Sequence, residues 1–157
     1  MTPTDFIQLL CGPAQATQAA TGIPASFTMA QAAVESAWNS SAQALQDFNL
    51  FGIKADASWH GASQQWPTRE VVGGKSVTVN AAFRKYPTLT AGLEDHAAFL
   101  VGNARYRPAF VHGDDSCAFA AAVAAAGYAT DPLYAQKIIA IINAHQLKQY
   151  DIQKVNT

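Results

Sequence analysis

The chain has 157 residues, half of them hydrophobic and 13% charged, with a formal net charge of −1. That length fits a single domain, over 1–157, able to bury roughly 68–70% of its unfolded surface. So quiet a surface carries no basic footprint for nucleic acid or an anionic membrane; a polymeric partner would be read by shape, hydrogen bonds and aromatic contact.

Thr2-Pro3 is an N-cap followed by proline at the first helical position, which predicts a short helix to about Leu10. The same segment has no basic stretch and too short an apolar core for a classical signal peptide, and no run approaches a membrane span. Gly12-Pro13 is expected to break the helix, and an Ala/Gln-rich second one runs to Thr21-Gly22. Pro24 to about Gln46 reads as one long helix with Phe27, Ala30, Val34, Ala37 and Trp38 as its apolar stripe. Glu35 lies one position off that stripe. It is the only charged residue between Asp5 and Asp47. On a solvated helix face it would be unremarked; buried beside small residues and an indole, its carboxyl would be desolvated and its pKa raised, as a general acid requires.

From Asn49 to Tyr86 the pattern changes to a β-lobe, about residues 50–86. Trp66 to Val72 has strand character, Val72-Gly-Gly-Lys75 signals a tight turn, and Val77, Val79, Ala81 and Phe83 alternate on the return strand. Glu70 sits on this hairpin, with Arg69 facing the other side. Thr90 is expected to cap a helix through Val101, in which Glu94 would complement the helix dipole. Asp114 to Ala126 forms an Ala-rich helix, and Asp131-Pro132 starts a last one to about His145. The whole is an α+β arrangement, a mainly helical body with a small β-hairpin lobe flanking a substrate cleft.

Such a cleft would place Glu35 on the helical wall and Glu70 on the lobe, the two-carboxylate constellation of glycoside hydrolysis. Cys11 and Cys117 show neither metal spacing nor a disulfide framework and are expected as buried free thiols. His60, His96, His112 and His145 have no ligand spacing, so no metal and no cofactor are expected.

Four segments then become recognisable: Ala-Gln-Ala-Ala-Val-Glu35-Ser-Ala-Trp, Asn49-Leu-Phe-Gly-Ile-Lys54, Phe83-Arg-Lys-Tyr-Pro87 and Ala126-Gly-Tyr-Ala-Thr-Asp-Pro132. In this order and spacing the chain resembles, from about Ile7 to Ile142, the endo-β-N-acetylglucosaminidase domain of glycoside hydrolase family 73. That peptidoglycan-cleaving type occurs in flagellar muramidases, autolysins and some phage lysins. The resemblance implies a lysozyme-like fold and cleavage of the β-1,4 bond between N-acetylglucosamine and N-acetylmuramic acid. It matches Glu35 to the general acid, Glu70 to the second acidic residue on the lobe, and Tyr128 to the tyrosine lining the site opposite the acid.

Around these, Asn49, Phe51 and Gly52 are expected to form the cleft floor. Trp59, Trp66 and Tyr106 are candidate platforms for sugar rings, and Gln31 and Ser36 candidate hydrogen-bonding neighbours of the acid. The expected partner is the peptidoglycan glycan strand, bound by a monomer acting on the bacterial cell wall after lysis-related or non-classical export. A lytic transglycosylase or a non-catalytic glycan-binding module are the competing readings.

Overall fold

The computed structural model describes residues 1–153; the last four residues of the expected 1–157 domain lie outside the described residues. Helix α1 spans Pro3–Thr21, capped by a Thr2–Asp5 capping box. It runs straight through Gly12-Pro13 instead of breaking there. Its buried positions Phe6, Ile7, Leu10, Ala14, Thr17 and Gln18 keep one face on both sides of the proline. Packing of that face outweighs the cost of about 3 kcal/mol for an interior proline. The bond that Pro13 cannot make would end at Leu9, on the exposed side of the helix.

Helix α2, Ala25–Ser36, is the centre of the body and packs against α1 and the later helices. Residues Ala25 to Ala33 are buried without interruption, so this stretch has no solvent face and needs its small side chains; only the last turn, at Val34 and Glu35, reaches solvent. The expected long helix stops at Ser36. Ala37, Trp38 and Asn39 adopt φ of 49°, 60° and 63°, three left-handed residues in a row, none of them glycine. Such residues are strained unless their surroundings hold them. The Ser36 Oγ donates to the Ala32 carbonyl (2.6 Å) and accepts from the Asn39 N–H (2.9 Å). The Trp38 ring packs edge-on against Phe6 and His145, with centroids at 5.4 and 5.0 Å. Helix α3, Ala42–Asp47, follows under a Ser41 cap.

Strands β1, Ser63–Val72, and β2, Lys75–Arg84, form a two-stranded antiparallel ribbon with Glu70 opposite Val77. Gly73 and Gly74 turn it with φ of 58° and 77°, the positive pair that a two-residue hairpin loop demands. Its base is sewn to the rest of the molecule: Arg84 N–H donates to Ile53 O, and Tyr86 N–H to Asp47 O at the end of α3, each at 2.9 Å.

Helix α4, Leu89–Gly102, is capped by Thr88, two residues before the expected cap at Thr90. Glu94 is exposed beyond the first turn and so does not serve as a dipole partner. A side chain at Gly92 would come within 2.5 Å of the Phe48 carbonyl, so glycine permits α4 to lie against the end of α3. A 3-10 segment, Ala104–His112, leads to α5, Ser116–Ala125, and α6, Tyr134–Ala144. The last helix begins two residues after Pro132, because Asp131 first closes a turn by accepting from the Leu133 and Tyr134 N–H groups. Cys11 and Cys117 are free, and half-buried rather than buried.

Candidate active site

A cleft of about 520 Å³ separates the helical body from the base of the lobe. Glu35 stands on its body wall, on the last turn of α2, and Phe51, His96, Phe99, Tyr106 and Tyr128 form an aromatic lining. The lobe side contributes Gly52, Lys54, Asp56 and Arg84. A larger hollow of about 630 Å³ lies elsewhere, between Gln18, Phe110 and Asp151. It is a seam where the C-terminal segment packs back on α1 and α2, with Asp151 accepting from the Ser26 N–H and Oγ–H at 2.7 Å each.

The Glu35 carboxylate accepts a hydrogen bond from the Tyr134 hydroxyl at 2.6 Å, and that hydroxyl accepts in turn from the Gln31 amide at 2.9 Å. Solvent reaches Glu35 through the mouth of the cleft, while protein on the other sides strips much of the carboxyl's water. That desolvation raises its pKa above the ordinary 4.5, and the Tyr134 hydrogen bond offsets only part of the rise. Glu35 is therefore an acid that holds its proton closer to neutrality than an exposed glutamate does.

Tyr128 stacks on Tyr134 at 5.5 Å and 16°, and shares a hydrogen bond of 3.1 Å with His96 Nε2. Burial, with the charge of Glu35 second, pushes the pKa of both phenols upward, so both stay protonated. His96 is 2% exposed and lies flat on Phe51, with ring centroids 3.6 Å apart. Burial pushes its pKa down to about 3, so it is a neutral ring in the cleft floor.

Of the expected site residues, the structure brings Glu35, Tyr128, Phe51, Gly52 and Tyr106 to the cleft wall. Gln31 sits just behind the acid, fully buried, and reaches it through Tyr134. Ser36 and Asn49 do other work. Ser36 is spent on the α2 terminus, and Asn49 donates to the carbonyls of Ile53 and Arg84 at 2.9 Å each, tying the cleft floor to β2. Trp66 is not a wall residue: its indole N–H donates at 2.6 Å to Asp47, a carboxylate 1% exposed. Trp59 lies under the Arg84 guanidinium at 4.7 Å and gives its N–H to Ala62.

Glu70 shares the inner face of the hairpin with Trp66, and Arg69 faces the other side. Glu70 is not on the cleft wall; its carboxylate pairs at 2.7 Å with Lys54, which is. Two residues missed by sequence reasoning are Tyr134 and His96. Tyr134 lies six residues past Tyr128, and nothing local marks it as touching a glutamate 99 positions earlier. His96 carried a weak signal, being an apolar-face histidine three residues before Phe99 on α4. Among the described residues no group of three or more His, Cys, Asp or Glu gathers as a metal site.

Comparison with known proteins places this geometry. The chain is 39% identical over 150 residues to the peptidoglycan hydrolase FlgJ of Pseudomonas aeruginosa, covering 93% of this chain and 37% of that protein. It is 39% identical over 151 residues to the exo-glucosaminidase LytG of Bacillus subtilis, covering 93% of this chain and 52% of that one. The chain thus spans between a third and about half the length of these relatives. The crystal structure of the catalytic domain of the autolysin Auto from Listeria monocytogenes superposes with a TM-score of 0.85 at 31% identity, over 95% of this chain and 87% of that domain. The family model for glucosaminidase, described as mannosyl-glycoprotein endo-β-N-acetylglucosaminidase, matches residues 11–147, and the chain belongs to that family, glycoside hydrolase family 73, with its lysozyme-like fold.

Proposed function

We propose that this chain hydrolyses the β-1,4 bond between N-acetylglucosamine and N-acetylmuramic acid in peptidoglycan, with Glu35 as the proton donor. One observation carries the reading: a desolvated carboxyl, held by a phenol, on the wall of a cleft lined with aromatic rings. Exposed Phe99 and half-buried Tyr128 present apolar surface to sugar rings, with Tyr106 and Phe51 buried beneath them, and Glu35 delivers its proton to the glycosidic oxygen as the bond lengthens. Positive charge develops on the departing sugar, and a second carboxylate or the substrate's own acetamido group must stabilise it or direct water to it. Glu70 is assigned that part. It hangs on the lobe above the cleft, tethered by Lys54, and a lobe that closes on substrate brings it nearer.

The cleft is partly open to solvent, which suits a long glycan strand. Action belongs at the bacterial cell wall, as the names of the peptidoglycan hydrolase and autolysin relatives support. Among the described residues no helix is long and apolar enough to cross a membrane.

A second reading is favoured by one specific observation. Among the described residues Glu35 and Asp56 are the only carboxylates on the cleft wall, and Asp56 is occupied by the Ser58 N–H (3.0 Å) and the Ser58 hydroxyl. A lone acid is what a lytic transglycosylase requires. Mass spectrometry of the fragments released from purified sacculi separates the two: reducing N-acetylglucosamine ends support hydrolysis, and anhydro-muramic ends would overturn it. Glu35→Gln should release neither. Binding to sacculi without release by the wild type would leave only a glycan-binding module.

A further inference from the structure

Glu35 ends in two oxygens, and only one can deliver a proton productively. Oε1 accepts from the Tyr134 hydroxyl at 2.6 Å, and among the described residues no hydrogen bond reaches Oε2. The Tyr134 oxygen already receives the Gln31 Nε2–H at 2.9 Å, so its own hydrogen must go elsewhere, and Glu35 Oε1 is the acceptor in reach. Gln31 is wholly buried, and among the described residues no donor reaches its Oε1. If that amide were turned round, its Oε1 would accept from Tyr134, and the phenol oxygen would be free to accept a proton from Glu35 Oε1. The acid would then point its proton into the protein, away from the cleft. The amide as placed donates to the Tyr134 oxygen and keeps Tyr134 a donor.

We propose that Tyr134, held as a donor by Gln31, is the positioning residue that occupies Oε1 of Glu35 and so consigns the reactive proton to Oε2, the oxygen open to the cleft. This rests on Glu35 being the acid of the proposed reaction. The relay runs through three residues on two helices: Gln31 and Glu35 four residues apart on α2, and Tyr134 on the first turn of α6. Its neighbours do not duplicate it. Tyr128 spends its hydroxyl on His96, a neutral ring, and Tyr106 lies beyond Tyr128 at 6.0 Å. On the lobe side, Lys54 pairs with Glu70, while Arg84 pairs with Asp95 and Asp56. None of these donates to Glu35.

The chain has only three glutamates, Glu35, Glu70 and Glu94, so glutamate labelled with 13C at the side-chain carboxyl gives three signals that can be titrated in the full chain without turnover. In Tyr134→Phe the Glu35 midpoint should move upward, since a bond favouring the charged form is gone. The kcat on sacculi should fall by about 10–100-fold, with KM changed far less. Gln31→Leu should move both readings in the same direction by less. It leaves the phenol in place and keeps the test open if Tyr134→Phe is too unstable to titrate. Because Gln31 acts only through Tyr134, the double variant should match Tyr134→Phe. A lower melting temperature with an unmoved Glu35 midpoint would reduce Tyr134 to packing and overturn the proposal. Simple multiplication of the two single effects would overturn the role given to Gln31. If wild-type protein leaves sacculi intact, the hydrolase reading fails, and the carboxyl titration still decides the relay.

Discussion

The two walls of the cleft are built on opposite plans. On the body side, Glu35 is set by a buried helix, a buried glutamine and two stacked tyrosines, and among the described residues its carboxyl has one hydrogen-bond partner, Tyr134. On the lobe side, Glu70 rides a ribbon of two strands whose tip exposes Val71 and Val72, and its one partner among the described residues is a lysine that is itself exposed. A two-stranded ribbon is marginal on its own and depends on its base. The contrast teaches a division of labour: the carboxyl proposed as proton donor is preorganised beside buried polar groups, while its proposed partner stands on a ribbon with few ties to the body.

The largest effect should come from the rigid wall. Replacing Glu35 by Gln keeps the shape and removes the proton, so release of reducing ends from sacculi should fall by about 10²–10⁴-fold. The melting temperature should hold, because a neutral amide suits that desolvated place at least as well as a carboxylate. Residual lysis near the wild-type rate would move the acid elsewhere and erase the contrast between the walls.

The lobe wall should respond less. Glu70→Gln is expected to lower turnover by about 10²-fold at most, with the fold untouched, since an ion pair with side chains 55% and 41% exposed contributes about 0–1 kcal/mol. Wild-type turnover in that variant would make Glu70 a surface residue and support the single-acid reading.

How far these walls were legible in the sequence follows the same division. The hairpin, its Gly-Gly turn and the side on which Glu70 lies were readable because period-two alternation and turn chemistry are local signals. Glu35 stood out because a lone charge in an apolar helix is also a local oddity. The unbroken α1 was not readable, since the packing that overrides Pro13 comes from residues distant in sequence. Nor was the end of α2 at Ser36: the left-handed run from Ala37 to Asn39 is held by a serine cap and by Trp38 against Phe6 and His145, contacts no window of sequence contains. Trp66 shows the same limit in reverse. An exposed-looking aromatic on a lobe reads as a sugar platform, and only the fold reveals Asp47 waiting for its N–H.

That buried aspartate gives the next test. Asp47 takes the Trp66 N–H at 2.6 Å and meets Lys85 Nζ at 3.4 Å, pinning the ribbon to α3. Asp47→Ala leaves the indole donor without its acceptor and should cost about 1–3 kcal/mol in urea unfolding. It should also depress turnover while leaving the Glu35 carboxyl titration where it was, because the body wall does not depend on the lobe. A shifted Glu35 midpoint would show that the two walls are coupled after all.

The smallest expected effect is a matter of sign. Because the folded-state pKa of Glu35 is raised above 4.5, the native protein holds that proton more tightly than the unfolded chain does. The stability from holding it is fully present below about pH 4.5 and is lost as pH climbs through the folded midpoint, beyond which it is gone. Glu35→Gln cannot ionise and loses nothing. The melting temperature of the wild type minus that of Glu35→Gln should therefore decline across this window and then level off. Were the Tyr134 bond the stronger influence, the folded carboxylate would be favoured and the difference would grow with pH instead. A rising curve would mean that the wall around Glu35 stabilises charge, and the acid would have to be sought elsewhere in the cleft.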